Sequence, residues 1–110
     1  RDKELLTALI YASLARAYVR YGGAGNLAKA ERLVQREYEQ LDHMARLGPL
    51  HRIQVLRAYA SLRFAQGDRT GWTYFIGLAL QTAYIAGLTH QLHDIQREFY
   101  QARRQSHSPG

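Results

Sequence analysis

A chain of 110 residues with 46% hydrophobic and 22% charged residues has the size and composition of one folded domain, which excludes a disordered chain. The absence of cysteine excludes disulfides, thiolate metal sites and a cysteine nucleophile, and no apolar run approaches the roughly 20 residues of a membrane span. Because 15 basic residues outnumber 9 acidic ones, giving a net charge of +6, we expect a positive surface.

The first half of the chain is predicted to form two helices separated by a glycine-rich turn. No glycine or proline interrupts residues 2–21, and apolar residues recur there at helical spacing. This stripe consists of Leu6, Ile10, Leu14, Ala17 and Tyr21. Gly22 and Gly23 are expected to end the first helix, and Asn26 to be the N-cap of the second. The stripe of the second helix continues to Ala45, before the break at Gly48-Pro49.

The second half is predicted to form three further helices. The third runs from about Leu50 to Gln66, the fourth from about Thr70 to Ala86, and the fifth begins with Thr89 as a candidate N-cap. Gly71 and Gly77 lie inside the fourth helix, where each glycine costs up to about 1 kcal/mol against alanine, so we expect close helix–helix approach there. No segment shows sustained period-2 alternation. The fold class is therefore predicted to be all-α, with about five antiparallel helices.

These helices are expected to form a single domain over residues 1–105. It divides into a first hairpin over about 2–47, a second over about 50–86 and a terminal helix over about 89–105, followed by a frayed tail at 106–110. The chain begins with Arg1 and shows no signal-peptide pattern, so we expect a fragment or a processed chain. The absence of cysteine fits a reducing compartment, and the expected location is cytoplasmic.

The two predicted hairpins repeat one pattern. Leu14-Ala15-Arg16-Ala17-Tyr18 leads to Gly22, and Tyr59-Ala60-Ser61-Leu62-Arg63 leads to Gly67 over the same distance. The pattern resembles the tetratricopeptide repeat, a helix–turn–helix unit of roughly 34 residues. The matching positions are Tyr11, Leu14, Ala15, Tyr18, Gly25 and Ala30 in the first unit, and Leu56, Tyr59, Ala60, Gly67, Ile76 and Ala79 in the second. Ala15 and Ala60 are expected at tight helix crossings.

The repeats are degenerate and long. Residues 22–24 look like an insertion, and Glu37, Arg63 and Trp72 replace the residue types that are usual in the repeat. Such units resemble the helical sensor domains of bacterial transcription regulators, including the maltose-regulator type. The resemblance implies a short right-handed solenoid that serves as a non-enzymatic module for binding a protein or peptide, as part of a larger regulator.

The resemblance also implies a binding groove, because the first helix of each repeat lines the concave side. The residues expected there are Arg16, Arg20, Arg57, Ser61 and Phe64. Two arginines one helical turn apart, joined by one from the neighbouring hairpin, suit a carboxylate or a phosphate. The expected partner is therefore acidic, and the alternative is a solvated face on which these arginines are structural.

The charge distribution leaves two other functions open. Acids cluster at Glu31, Glu37, Glu39 and Asp42, whereas residues 44–92 hold Asp68 as their one acid against five arginines, Arg46, Arg52, Arg57, Arg63 and Arg69. This positive middle would attract nucleic acid, an acidic peptide or the chain's own acids. Homodimerisation is the other alternative, because the first helix is apolar on more than one side at Leu5, Leu6, Leu9 and Ile10. We expect this face to contact a preceding repeat or a second copy.

No motif indicates an enzyme or a cofactor. The sequence lacks Gly-x-Ser-x-Gly, a phosphate-binding glycine loop and His-Glu-x-x-His. His90, His93 and Asp94 share a helix face, but this spacing is a weak signal and we expect no metal. His43 and His51 are expected to cap carbonyl groups beside the Gly48-Pro49 turn. Trp72 and most of the 8 tyrosines are expected in the core or the groove wall instead of a base-stacking platform.

Overall fold

All regular structure is helical in the computed structural model, which describes residues 2–107, with side chains for residues 3–105. The α-helices are α1 (Asp2–Tyr21), α2 (Ala24–Glu39), α3 (Pro49–Ala65), α4 (Arg69–Ile85) and α5 (Thr89–His107). A short 3-10 helix, Ala45–Leu47, precedes α3. The predicted all-α fold class is thus confirmed for the described residues. Of the predicted tail, 106–107 belong to α5, and 108–110 lie outside the described residues.

Helix α4 begins with a glycine turn and a side-chain cap. Gly67 has φ 77°, a left-handed conformation that a β-carbon disfavours. The following residue, Asp68, is the N-cap, and its carboxylate accepts a hydrogen bond from the Gly71 backbone N–H at 2.8 Å. This bond satisfies one of the free N–H groups at the start of the helix.

Helix α2 differs from its prediction at both ends. Its N-cap is Gly23, whereas Asn26 lies inside the first turn and donates its side-chain amide to the Gly22 carbonyl at 2.8 Å. Asn26 therefore satisfies a carbonyl that follows α1, so its assignment as the N-cap was wrong. The helix ends at Glu39, since the chain tightens into turns over residues 40–44, and these turns bury Leu41.

Helix α3 lies at the centre of the molecule and contacts α1, α2 and α4, while α5 packs on α4. One continuous hydrophobic core joins all five helices, from Ala15 of α1 through Ile53 of α3 to Ile95 of α5. Ala15 and Ala60 are both buried in it, as expected for small residues where helices pack closely.

Helix α1 is rotated relative to its predicted stripe. Leu6, Ile10, Leu14 and Tyr21 are exposed, and the buried residues are Ala8, Ala12 and Ala15. The distance between packed helices depends on the side chains at the contact, so a face of alanines lets α1 lie close to its neighbours. The prediction that the larger side chains form the packing stripe of this helix was wrong.

Two further expectations about packing were wrong in part. A β-carbon on Gly77 would meet no described atom within 4 Å, so Gly77 does not mark the expected approach of helices, whereas one on Gly71 would crowd the Asp68 carboxylate and lie 3.1 Å from Arg63 Cγ of α3. Trp72 is buried as predicted, but five tyrosines are exposed, namely Tyr11, Tyr21, Tyr74, Tyr84 and Tyr100. Among the described helices, none is long and apolar enough to cross a membrane.

Candidate functional site

One carboxylate, that of Glu98 on α5, links three helices. Arg16 of α1 donates from Nη2 to Glu98 Oε2 at 2.7 Å, and Arg57 of α3 donates from Nη2 to Glu98 Oε1. Arg57 also donates from Nη1 to the side-chain oxygen of Gln91 at 3.1 Å. Each carboxylate oxygen thus has its own guanidinium, a strong arrangement because both partners are charged.

The surroundings of the two arginines favour a neighbouring negative charge. The side chain of Arg57 is 11% exposed and that of Glu98 is 31% exposed. Burial lowers the pKa of Arg16, the positive charges of Arg57 and Arg20 lower it further, and Glu98 opposes them. Arginine stays protonated at neutral pH, so two partly desolvated positive charges lie side by side here. Arg57 Nε is buried and has no hydrogen-bond partner among the described residues.

A cavity of about 270 Å³ adjoins the Glu98 carboxylate. Its lining includes Arg57, Ser61, Phe64, Trp72, Glu98 and Ala102. Pockets for small-molecule ligands usually measure about 300–1,000 Å³, so this cavity suits one or two side chains of a peptide better than a metabolite.

An aromatic cluster forms the apolar wall of this cavity. Trp72 of α4 stacks on Phe99 of α5 with ring centroids 5.1 Å apart, and it meets Phe64 of α3 edge-on at 5.2 Å. The guanidinium of Arg69 lies 4.6 Å from the centre of the Phe64 ring. Such aromatic pairs stabilise a defined geometry beyond simple burial, so the wall holds α3, α4 and α5 in a fixed relation.

The structure brings most of the predicted groove residues together. Arg57, Ser61 and Phe64 line the same cavity, and Arg16 reaches its edge through Glu98. Arg20 does not join them: its side chain is exposed and forms no ion pair or hydrogen bond with another described residue.

Sequence reasoning missed the residues of α5. Neither Glu98 nor Gln91 was among the predicted site residues, yet both side chains reach Arg57. They are seven residues apart, so they lie on one helix face two turns from each other. This register places both residues near the buried Ile95, but the spacing alone does not identify Arg57 as their shared partner.

The basic middle of the chain is largely engaged with the chain's own acids. Arg63 pairs with Glu31 at 3.1 Å, Arg52 with Asp42 at 3.4 Å, Arg46 with Glu4, and Arg57 with Glu98. The fifth arginine, Arg69, lies against aromatic rings. Of the three attractions considered for this segment, the one seen is that to the chain's own acids.

His51 and Glu37 form a buried polar contact between α3 and α2, and the expectation that His51 caps a carbonyl was wrong. His51 Nε2 lies 3.9 Å from Glu37 Oε2 and has no hydrogen-bond partner among the described residues. Burial lowers the pKa of His51, with Arg52 adding to the effect. Burial also raises the pKa of Glu37, with Arg36 opposing it. Both shifts favour uncharged side chains at this position.

The histidines of α5 do not form a metal centre with other described groups. His90 and His93 are exposed, and Asp94 pairs with Arg97 at 3.7 Å. No cluster of three or more candidate ligands occurs within the described part of the chain. Comparisons with protein-family models, curated proteins and solved structures gave no match.

Proposed function

We propose that this chain is a non-enzymatic module that binds a protein or peptide partner, and that Arg16 and Arg57 receive an acidic side chain of that partner. The observation that carries the proposal is that both arginines donate hydrogen bonds to one carboxylate, that of Glu98 on α5. In this interpretation Glu98 occupies the site in the free chain, and the ligand carboxylate takes its place.

The chemistry of the site defines the class of ligand. A hydrogen bond to a charged group contributes about 1.5–3 kcal/mol, so the arginine pair favours carboxylate over a neutral amide. The adjoining cavity has Phe64 and Trp72 in its wall, and it suits an apolar side chain. The ligand is therefore a segment in which an acidic residue neighbours an aliphatic or aromatic one.

We further propose a tetratricopeptide-like solenoid arrangement for the helices. Three observations support it: α1 packs on α2, α3 packs on α4, and α3 also contacts both helices of the first hairpin. The Cα extent of 18 Å along the shortest axis suits two layers of helices, which pack about 8–10 Å apart. The resemblance of the sequence to sensor domains supports a role within a bacterial transcription regulator.

Peptide binding tests the proposal directly. The probes are short labelled peptides with a central Glu-Phe or Glu-Leu pair, and matched peptides with Gln in place of Glu. We expect the Glu peptides to bind more tightly, and Arg16→Ala with Arg57→Ala to weaken them by about a hundredfold, since two charge-assisted contacts are lost.

The matched control is Arg32→Ala, which removes a cation from an exposed position of α2. It is expected to bind the peptides like the unchanged chain. Equal affinity for the Glu and Gln peptides would contradict the proposal. Unchanged binding by the double variant, with helicity intact by circular dichroism, would also contradict it.

Nucleic-acid binding is the second candidate, favoured by the sequence pI of about 10.0. It has less support because the arginines of the basic middle engage internal partners. Binding to duplex DNA driven by phosphate contacts weakens steeply with salt. A titration at low and moderate salt therefore separates the two candidates, since peptide binding through the apolar cavity changes less.

A further inference from the structure

The internal repeat pairs residues of α1 with residues of α3. Ala15 and Ala60 occupy the same position of the two hairpins and are both buried. The same register pairs Leu6 with His51, Ile10 with Val55 and Leu14 with Tyr59. Because these residues recur at four-residue spacing, they form one face on each helix.

The two equivalent faces differ sharply in exposure. On α1, Leu6 is 59% exposed, Ile10 54% and Leu14 40%. On α3, the corresponding values are 1%, 1% and 7% for His51, Val55 and Tyr59. The exposed set is called the outer face of α1 below. Three large apolar side chains in one stripe are more than the scattered exposure that is normal for a protein surface.

Helix α2 contributes directly to covering the face of α3. The Tyr38 ring meets Tyr59 edge-on at 5.3 Å, and the Glu37 carboxylate lies 3.9 Å from His51. At the far end of the face, Glu31 accepts from Arg63 at 3.1 Å. The covering element is thus an amphipathic helix with acids beside its apolar stripe.

The charges around the outer face of α1 have the sign that suits such a helix. Arg20 lies on the rim of the face, is exposed and forms no ion pair with another described residue. Lys3, at the N-terminal end of the face, also lines a pocket beside α2 together with Glu4, whose carboxylate pairs with Arg46. Electrostatic complementarity therefore favours an acidic partner.

We infer that the outer face of α1 is a docking surface for an amphipathic, acidic α-helix, which lies on α1 in the way that α2 lies on α3. The helix comes from outside residues 2–107, because α2 of this chain already covers α3. A second copy of the chain is a less suitable partner, because its own α2 already covers its own α3. This surface is separate from the arginine pair, so the inference does not depend on the ligand proposed for that site.

A peptide of residues 24–44 of this chain is the probe, since it carries the stripe and acids that cover α3. We expect it to bind the full chain in fluorescence anisotropy, and Ile10→Glu to weaken binding by about tenfold or more. Ile10→Lys is expected to lose less affinity for the peptide, because lysine keeps the face positively charged. The control Ile85→Glu changes an exposed isoleucine on α4 and is expected to leave binding unchanged.

Both Ile10 variants are expected to fold, since the replaced side chain is largely exposed, and circular dichroism checks this. Absence of binding to the unchanged chain, or equal binding by Ile10→Glu, would overturn the inference. Sedimentation of the chain without peptide gives its oligomeric state and provides a second test. A chain that is dimeric without peptide, and monomeric with Ile10→Glu, would assign the face to a second copy and also overturn it.

Discussion

The Glu98 carboxylate offsets the electrostatic repulsion between two neighbouring guanidinium groups. Its two oxygens accept from arginines of different helices, and both guanidinium groups are partly removed from water. Without this carboxylate, Arg16 and Arg57 would repel one another where solvent screens them only in part. The residue thereby stabilises the packing of α5 against the first and third helices.

We predict that Glu98→Gln lowers the free energy of unfolding by about 1–3 kcal/mol, since charge-assisted hydrogen bonds are replaced by weaker ones. In a domain of this size that corresponds to a drop of several degrees in melting temperature. Glu39→Gln is the control, because its carboxylate is exposed and, among the described residues, accepts only from Gln35. Equal melting temperatures for Glu98→Gln and the unchanged chain would show that the carboxylate contributes nothing to folding.

The buried His51 predicts a specific loss of stability in acid. Its folded-state pKa is lowered by burial, so it gains a proton less readily in the native state than in the unfolded chain. The stability that neutral His51 contributes to the folded chain is therefore complete above the unfolded pKa of about 6.5. This stability is lost as pH falls through the folded-state pKa of His51. Glu37 acts in the opposite direction at lower pH, because burial raises its pKa and the native state then binds its proton more readily than the unfolded chain.

We predict that His51→Leu flattens the decline in melting temperature between pH 7.5 and pH 5.5. Leucine is the residue at the equivalent position of α1, and it has no proton to gain. His90→Leu removes an exposed histidine and is expected to leave the pH profile unchanged. Thermal melts at the two pH values provide the measurement, and an identical slope for His51→Leu and the unchanged chain would contradict the assignment.

Within the single helix α4, replacing each of two glycines by alanine is expected to change stability in opposite directions. Gly77→Ala should raise stability by up to about 1 kcal/mol, since the new methyl group meets open space and alanine favours the helix. Gly71→Ala should lower stability, because the β-carbon would lie 2.9 Å from Asp68 Cγ and displace the capping carboxylate. Thermal melts of both variants test this, and a rise for Gly71→Ala would contradict it.

Apart from those of α2, the ends of the helices were more predictable from sequence than the faces they bury. Glycines with positive φ close the helices where local chemistry requires it, as at Gly67 and Gly87. The buried face of α1 was not predictable in this way, because both of its sides are apolar and the alanine side packs inward. Periodicity identifies a helix but does not choose between two apolar faces.

Part of the candidate site also followed from the sequence. Arg57, Ser61 and Phe64 lie together because one helix places them at three- and four-residue spacing. Glu98 was missed because its partners are 41 and 82 residues away in the chain, and only tertiary packing brings α5 over them. Long-range ion pairs of this kind leave no local pattern in the sequence.

For the whole molecule, α5 adds a polar link between the two hairpins to the direct one that Arg63 and Glu31 form. It packs on α4 through the Trp72–Phe99 stack, and its Glu98 reaches α1 and α3. The apolar contacts hold the helix in place, so the proposed exchange of the Glu98 carboxylate for that of a ligand does not require release of the helix. We propose that Arg16 and Arg57 form a carboxylate site that Glu98 fills in the free chain.

The affinity of the Glu-Phe peptide for the Glu98→Gln chain, relative to the unchanged chain, tests that claim most directly. The measurement is made well below the melting temperature, with circular dichroism confirming that the variant is folded. We predict that the variant binds the peptide about tenfold more tightly, because the competing internal carboxylate has been removed. Equal or weaker binding by the folded variant would contradict the claim and identify the Arg16–Glu98–Arg57 cluster as purely structural.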